Sequence, residues 1–429
     1  MEQDTTIAVN DEKVAYQEPE HLLPRRYVLL LGGFFISTVG NWLYQLALPL
    51  LVYTLTHSAL NMALTYGLTY LPFVLFSPFG GIVADRVDRR RFLVLGDLFS
   101  ALVVGLLVLV VSLGIHSLLV IYPLVFMLAG IMPFYHPAFQ SLVPSLVKDH
   151  QLARANAWLQ GAENIVMVVG PLIGGLLIVS LGVTSVLTID MFSFVGSAVL
   201  IACIGNRSGM QTNEGATGAS LLAQLYEGLS YTWRHPILRY GSFVFLGTNF
   251  ALAAIEANYV YFLTKVLGAS PVQLGLAFAI PGLGAIGGAI IAPRLGRRFS
   301  PGPLILGCSM VAGLMLLPLL VATNSLLVAV PWAVVTGAGT VSAVTWFTLR
   351  QRLVPQSLLG RVIAFTRLFA YAAVPLSAVA SGIILGTTRD IHLIIGIAAA
   401  IDLVVGGLGW LTPLSQRKKE DTPMVAPNM

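Results

Sequence analysis

The sequence predicts an all-α protein that crosses a membrane about twelve times, and three observations carry that prediction. Hydrophobic residues make up 56% of the 429 positions and charged residues only 10%, with a mean hydropathy of +0.84; a soluble chain carries about 25% charged residues. The apolar residues fall into repeated segments of roughly 20, the length that crosses a ~30 Å hydrocarbon layer as a helix. The little charge there is clusters between those segments. In GGIVADRVDRRR at 80–91, Asp85, Arg86, Asp88, Arg89, Arg90 and Arg91 crowd together between two apolar runs.

Taken in order, residues 1–24 are polar and acidic, with no basic stretch leading into an apolar one, and read as a cytosolic tail rather than a cleavable signal. A first set of six spans occupies 25–205: 27–55, 59–83, 92–113, 118–143, 157–181 and 184–205. Residues 206–238 form the one long interior polar stretch. Within it Leu222, Leu225, Tyr226, Leu229 and Trp233 recur at helical spacing, which predicts an amphipathic helix on the membrane surface. A second set of six spans occupies 239–413: 239–264, 271–293, 303–322, 326–349, 361–386 and 391–413. Residues 414–429 are a cytosolic C-terminal tail. Prolines inside the spans (Pro72, Pro123, Pro171, Pro281, Pro318 and Pro375) are compatible with bundled membrane helices, whose neighbours satisfy the freed backbone groups.

Orientation follows from the basic residues. Of 24 Lys and Arg, all but Lys265, Arg367 and Arg389 fall in the tails, the linker or the loops after even-numbered spans of each half. The positive-inside rule then places both termini in the cytosol. The net charge of +5 is thereby a topological feature and not a sign of nucleic-acid binding. Cys203 and Cys308 lie far apart in apolar segments and suit packing, not a disulfide framework or a metal site.

The two halves echo one another. Arg294, Arg297 and Arg298 in GAIIAPRLGRRF fall on Arg86, Arg89 and Arg90, with Pro293 in place of Asp85. QSLVPSLV at 140–147 pairs with QRLVPQSL at 351–358, and Glu163 precedes Pro171 by the interval at which Arg367 precedes Pro375. Three echoes in the same order indicate an internal duplication.

A duplicated six-plus-six bundle with G-x-x-x-D-R-x-x-R-R-R between spans two and three resembles the major facilitator superfamily. The match is Gly81, Asp85, Arg86, Arg89, Arg90 and Arg91, with Asp88 where the family usually has glycine. ADRVDRRR, PFYHPAFQSLVPSLV, LARANAW and EGLSYTWRHPILR together resemble the macrolide-efflux and siderophore-exporter branch of proton-coupled drug antiporters. The resemblance implies the bacterial cytoplasmic (inner) membrane, and a conformational latch in which Asp85 meets the start of span eleven. Arg86 or Arg89 would then pair with a carboxylate such as Asp97 or Glu163. Pro293 makes that latch one-sided. Gly170, Pro171, Gly174 and Gly175 resemble the later part of an antiporter glycine motif, with Val166 where an earlier glycine is usual; close helix packing explains the same residues.

Ionisable groups inside spans point to function by default. Asp97 and Glu163 lie near the cytosolic end, where structural partnership with the arginine loops is one reading. Asp190 suits helix bridging, and His136 is taken as structural. Glu256 and Asp402 lie deepest. The resemblance implies that spans one, four, seven and ten line a central cavity, so Glu256 of span seven leads as the proton-coupling group, followed by Asp402 and Glu163; a buried, hydrogen-bonded structural role is the alternative. Candidate cavity residues are Asn41, Trp42 and Gln45 of span one, Asn249, Asn258 and Tyr259 of span seven, and Arg367.

The expected function is secondary active export of a hydrophobic or amphipathic small molecule by alternating access, driven by protons, with no cofactor and no metal. The expected partners are the bilayer, the substrate and protons, and the carrier is expected to be monomeric. Export of siderophores or lipid-like metabolites, uncoupled facilitation, and a non-transporting receptor or scaffold remain as alternatives. An enzyme is disfavoured, because the chain has no H-E-x-x-H, G-x-S-x-G or Cys/His metal pattern, and no P-loop for ATP.

Overall fold

The computed structural model describes residues 23–205 and 221–416, apart from the side chains of residues 81–86, 149–150, 153, 221–222, 224 and 356–357. The two terminal tails, the polar part of the linker and the side chains of Asp85, Arg86 and Leu222 therefore lie outside the description, as does Gly81 beyond its helical backbone.

Among the described residues all regular structure is helical: α1 (Arg25–Thr56), α2 (Ala59–Arg86), α3 (Arg89–Ser112), α4 (Leu118–Ala129), α5 (Met132–Leu146), α6 (Asp149–Ala202), α7 (Leu221–Arg234), α8 (Pro236–Tyr261), α9 (Pro271–Arg298), α10 (Pro301–Leu316), α11 (Ser325–Leu353), α12 (Gln356–Thr388) and α13 (Ile391–Gly409). A π-helical turn, Phe262–Val266, extends α8, and a 3-10 turn, Leu317–Val321, extends α10. Eleven helical stretches are long and apolar enough to cross a membrane. One of them, Arg154–Ala202, holds 49 residues, more than twice what one crossing needs. Gly182, at φ 79° and ψ 167°, folds it into two arms, a conformation that glycine adopts at little steric cost. α1 lies against both arms: Gly33 and Gly40 face Ser197 and Ser193, while Trp42 and Leu46 face Gly170 and Gly174. One arm thus runs antiparallel to α1 and the other parallel to it, which makes twelve crossings.

The helices differ from the apolar runs in informative ways. α2, α9 and α11 continue through basic residues to Arg86, Arg298 and Leu353, because a charged side chain outside the hydrocarbon does not interrupt the backbone ladder. Span four is two helices, with the break at Gly130 and Ile131. The tight connections restart on side-chain caps, which satisfy the free N–H groups of a helix start. Asp88 accepts from Arg91 N at 3.1 Å, Asn324 from Leu326 N and Leu327 N at 3.1 and 3.0 Å, and Asp390 from His392 N at 2.9 Å. Asp88, the residue that departs from the family pattern, is thus the cap of α3.

Each half is tied internally by a buried carboxylate–serine bond with the roles exchanged. Ser197 of α6 donates to Asp97 of α3 at 2.6 Å, and Ser309 of α10 donates to Asp402 Oδ1 of α13 at 3.3 Å. α7 docks on α12 through Gly228, which lies against the Arg361 carbonyl, and through an ion pair between Glu227 and Arg361. Of its apolar residues Leu225 turns inward, while Tyr226 and Trp233 are exposed.

The close backbone crossings described between the halves lie from the middle of the bundle to the face opposite the chain termini. α2 crosses α12 with Gly67 beside Ala378 and Gly382 beside Ala63. α6 crosses α9 so closely that a Cβ on Gly275 would stand 2.6 Å from the Pro171 carbonyl oxygen. Tyr53 packs on Tyr261 at 6.0 Å, with Lys265 4.4 Å above the Tyr53 ring. This face is closed. Gly175 sits in the α6–α9 crossing against the Pro271 carbonyl, so Gly175→Val should force the helices apart there. Spin labels at Ser180 and Gln273 are expected to report a longer distance in the variant; an unchanged distribution would argue against a sterically set closure.

Candidate functional site

Beneath the closed face lies a central cavity of 520 Å³ between the halves, within the range of drug-sized ligand sites. α1 contributes Asn41, Trp42 and Gln45, α2 contributes Tyr66 and Tyr70, and α8 contributes Glu256 and Tyr259. The helical repeat explains this. Asn41 and Gln45 are four residues apart on one face of α1, and Tyr66 and Tyr70 likewise on α2. Asn41 spends its amide donor on the Ser37 carbonyl at 3.0 Å, whereas Gln45 opens onto the cavity. Trp42 is held against Gly170, and Tyr259 is buried between Phe278 and Trp332 with its hydroxyl on the Ala277 carbonyl at 3.0 Å.

Glu256 is the carboxylate in this cavity's wall. It is exposed to the cavity although it sits deep in the bundle, with buried residues on both sides in sequence. The Tyr66 hydroxyl donates to Glu256 Oε2 and so joins α2 of one half to α8 of the other. From Tyr66 an aromatic series continues along the same interface. Tyr66 and Tyr70 stand 5.0 Å apart, Tyr70 stacks on Tyr371 of α12 at 6.4 Å, and Phe73 meets Tyr371 at 5.3 Å. Arg367 lies over both Phe73 and Tyr371, at 5.2 and 5.7 Å. Sequence reading passed over Tyr66, Tyr70 and Phe73, although LTYGLTYLPF carries them at i, i+4 and i+7, one stripe of one helix face.

The other candidates are dispersed. Asn258 faces away from the cavity, fully buried, and donates to Ser381 Oγ of α12 at 2.9 Å. Asn249 lines a second cavity inside the C-terminal half, together with Arg367. Arg367 also walls a third space, of 220 Å³, with His136 and Leu225; Met132 borders both this space and the central cavity, so the two adjoin on the side of the termini. Asp402 is sealed behind Ser309 and does not reach the central cavity. Glu163 accepts from Gln160 at 2.9 Å.

Neither Asp97 nor Glu163 has an arginine partner among the described residues. Asp97 lies two helical turns beyond Arg89, about 12 Å along α3, and is held by Ser197 and, at 3.3 Å, by Tyr135. The loop arginines grip carbonyls of their own half: Arg89 Nη1 donates to Ser141 O at 3.2 Å, and Arg90 Nε to Ile201 O at 3.1 Å. Gly170 and Gly174 seat Trp42 and Leu46 of α1, while Pro171 and Gly175 form the crossing with α9. The glycine motif therefore packs one helix within its half and another across the interface.

Two six-helix halves around a central cavity, closed at one face, form the architecture of a membrane carrier. The model of the Major Facilitator Superfamily matches residues 30–378. The chain belongs to that superfamily and is a multi-pass membrane transporter. It is 28% identical over 372 residues to the multidrug efflux pump Tap of Mycolicibacterium fortuitum, across 83% of this chain and 88% of the relative. With macrolide efflux protein A of Streptococcus pyogenes it shares 23% identity over 179 residues, 42% of this chain and 44% of that protein. Among solved structures, the nucleoside transporter NupG superposes with a TM-score of 0.77 at 10% identity, over 90% of this chain and 99% of the other. A bacterial homologue of the iron transporter ferroportin, in its inward-facing state, gives 0.66 at 19% identity, over 92% and 99%. These two likenesses speak to the fold.

Ser197→Ala removes the shorter of the two hydrogen bonds to buried Asp97. Leaving a buried acceptor short of a donor costs about 1–3 kcal/mol, so the variant should unfold at a lower temperature in detergent. The same loss is expected for Ser309→Ala in the other half. Unchanged unfolding temperatures in both would show that these bonds carry no net stability.

Proposed function

We propose that the protein exports hydrophobic or amphipathic drug-like molecules from the cytosol across a bacterial cytoplasmic membrane, in exchange for protons, with both termini cytosolic. The observation that carries the reading is the contact between Tyr66 and Glu256, which places an ionisable group of the substrate cavity on the seam between the halves. The efflux roles of the Tap and macrolide relatives support the direction and the substrate class.

The geometry suggests how exchange is enforced. A hydrogen bond to an ionised carboxylate is about twice as strong as one between neutral groups. With Glu256 ionised and the cavity empty, Tyr66 holds the halves together in the state closed to the outside. A substrate that competes with Tyr66 for the carboxylate loosens the seam, and so does a proton on Glu256. The empty, ionised carrier is the one form that stays locked. Movement therefore requires one ligand or the other, which is the rule an antiporter obeys. In this scheme the loop arginines brace the N-terminal half as a rigid body, and Asp85 at the start of span eleven would latch the opposite state.

The deciding measurement is gradient-driven uptake of a labelled macrolide into inside-out vesicles. Glu256→Gln should abolish accumulation, whereas Asp402→Asn, outside the cavity, should retain it where the protein folds. Tyr66→Phe should release the lock: accumulation falls while downhill flux without a gradient rises several-fold. Equal accumulation by the intact chain and Glu256→Gln would remove Glu256 from the coupling path.

A further inference from the structure

The C-terminal half carries a second, partly open cavity, of 290 Å³, among α8, α10, α11 and α12, for which the exchange scheme has no use. Two guanidinium groups line it, Arg350 and Arg367. Arg350 belongs to the last turn of α11, where a basic side chain ordinarily reaches out to water. Its neighbour Arg352 is exposed in that way, but Arg350 turns inward and is only 8% exposed. Its Nη1 donates to Thr366 Oγ1 at 2.7 Å, its guanidinium lies 5.2 Å from the Trp346 ring centre, and its buried Nε has no acceptor. Arg367 enters from α12, its guanidinium over two aromatic faces.

Neither arginine has a carboxylate within ion-pair distance among the described residues; the described pairs are Arg91–Asp88, Arg361–Glu227 and His392–Asp390. Asp402 stands behind Ser309, which accounts for one of its oxygens. Both arginines line one cavity, Arg350 buried and Arg367 exposed, and neither has a counter-charge among the described residues; a buried unpaired charge such as that of Arg350 is costly. An anion in the cavity would offset the charge of Arg350, with Arg367 on the same wall. The planar guanidinium fork suits a carboxylate, and Nε of Arg350 is the donor left over for it. The rest of the wall would hold an apolar body: Trp346 stacks on Phe245 at 5.4 Å, and Leu252 and Val335 continue the surface.

We propose that this cavity binds the carboxylate of a small amphipathic anion, with Arg350 and Arg367 on the charge and Trp346 beside the apolar part. The transporter then has an acidic cavity between its halves and a basic one within the C-terminal half, and anionic amphiphiles join its substrate class. The inference rests on the export reading for what becomes of the bound molecule, and on the cavity alone for its binding.

The test is equilibrium binding of labelled 2-naphthoate to the full chain in phosphatidylcholine nanodiscs, against its uncharged methyl ester. Naphthoate should bind saturably and at least tenfold more tightly than the ester. Arg367→Gln should remove that preference, and Arg350→Lys, which keeps the charge and loses the fork, should weaken naphthoate at least tenfold. Because Arg350 also joins α11 to α12, Arg367→Gln with an unchanged unfolding temperature is the deciding variant. Equal binding of acid and ester, or undiminished naphthoate binding in both variants, overturns the proposal. Loss of naphthoate binding in phosphatidylglycerol discs would overturn it too, by showing that a lipid headgroup fills the site. Naphthoate binding is read at equilibrium without a proton gradient, so a failure of the proton-exchange reading leaves this result standing.

Discussion

Hydrocarbon offers no hydrogen bonds, and the architecture of this chain follows from that. Each crossing must satisfy its own backbone, so the described regular structure is helical. Polar side chains inside the bundle face the same constraint and meet it in pairs: Asp97 with Ser197, Asp402 with Ser309, and Asn258 with Ser381. The pairing is incomplete, because Asp402 Oδ2 and Asn258 Oδ1 stay buried without a partner among the described residues. Glu256 is held by Tyr66 across the seam between the halves, and Arg350 is likewise buried with one donor unused.

The seam is built from two kinds of contact that differ in how they respond to a ligand. Glycines at 67, 175, 275 and 382 let the backbones meet, and that closeness is purely steric. Such a contact is made or broken as a unit and is indifferent to charge. The Tyr66–Glu256 bond lies on the same surface but depends on the state of the carboxylate. In the exchange proposed above, joining a charge-sensitive link to a rigid steric closure is what would give one proton leverage over a whole-domain movement. The aromatic series from Tyr70 to Tyr371 lies alongside it and keeps α2 in register with α12.

Much of the fold was legible in advance, and the shortfalls have physical causes. Span number, the duplication and the position of the linker helix follow from segment length, hydropathy and the echo between halves, which are properties of the chain itself. Besides the helix ends that run on through basic residues, two connections departed from the apolar runs. Span four breaks at Gly130, and spans five and six join through Gly182 alone, because a glycine at positive φ reverses the chain without a polar loop. In the site, the cavity candidates Asn41, Trp42, Gln45 and Tyr259 line one cavity with Glu256, the expected proton-coupling group, whereas Asn249 and Arg367 line another. Asn258 was grouped with them, but helical phase turns it toward Ser381.

By itself the sequence determined that the chain lives in a membrane, crosses it in two similar sets, and carries carboxylates where charge is expensive. Those statements need only composition, period and internal repetition, each of which is local or additive along the chain. Tertiary structure alone decided which partner each charge has. Tyr66 and Glu256 are 190 residues apart and in different halves, and no spacing rule connects positions whose proximity arises from docking two bundles. The same holds for Arg350 and Arg367, one on the end of α11 and one inside α12. Only the way those helices pack turns an arginine that reads as a topological anchor into part of a cavity wall.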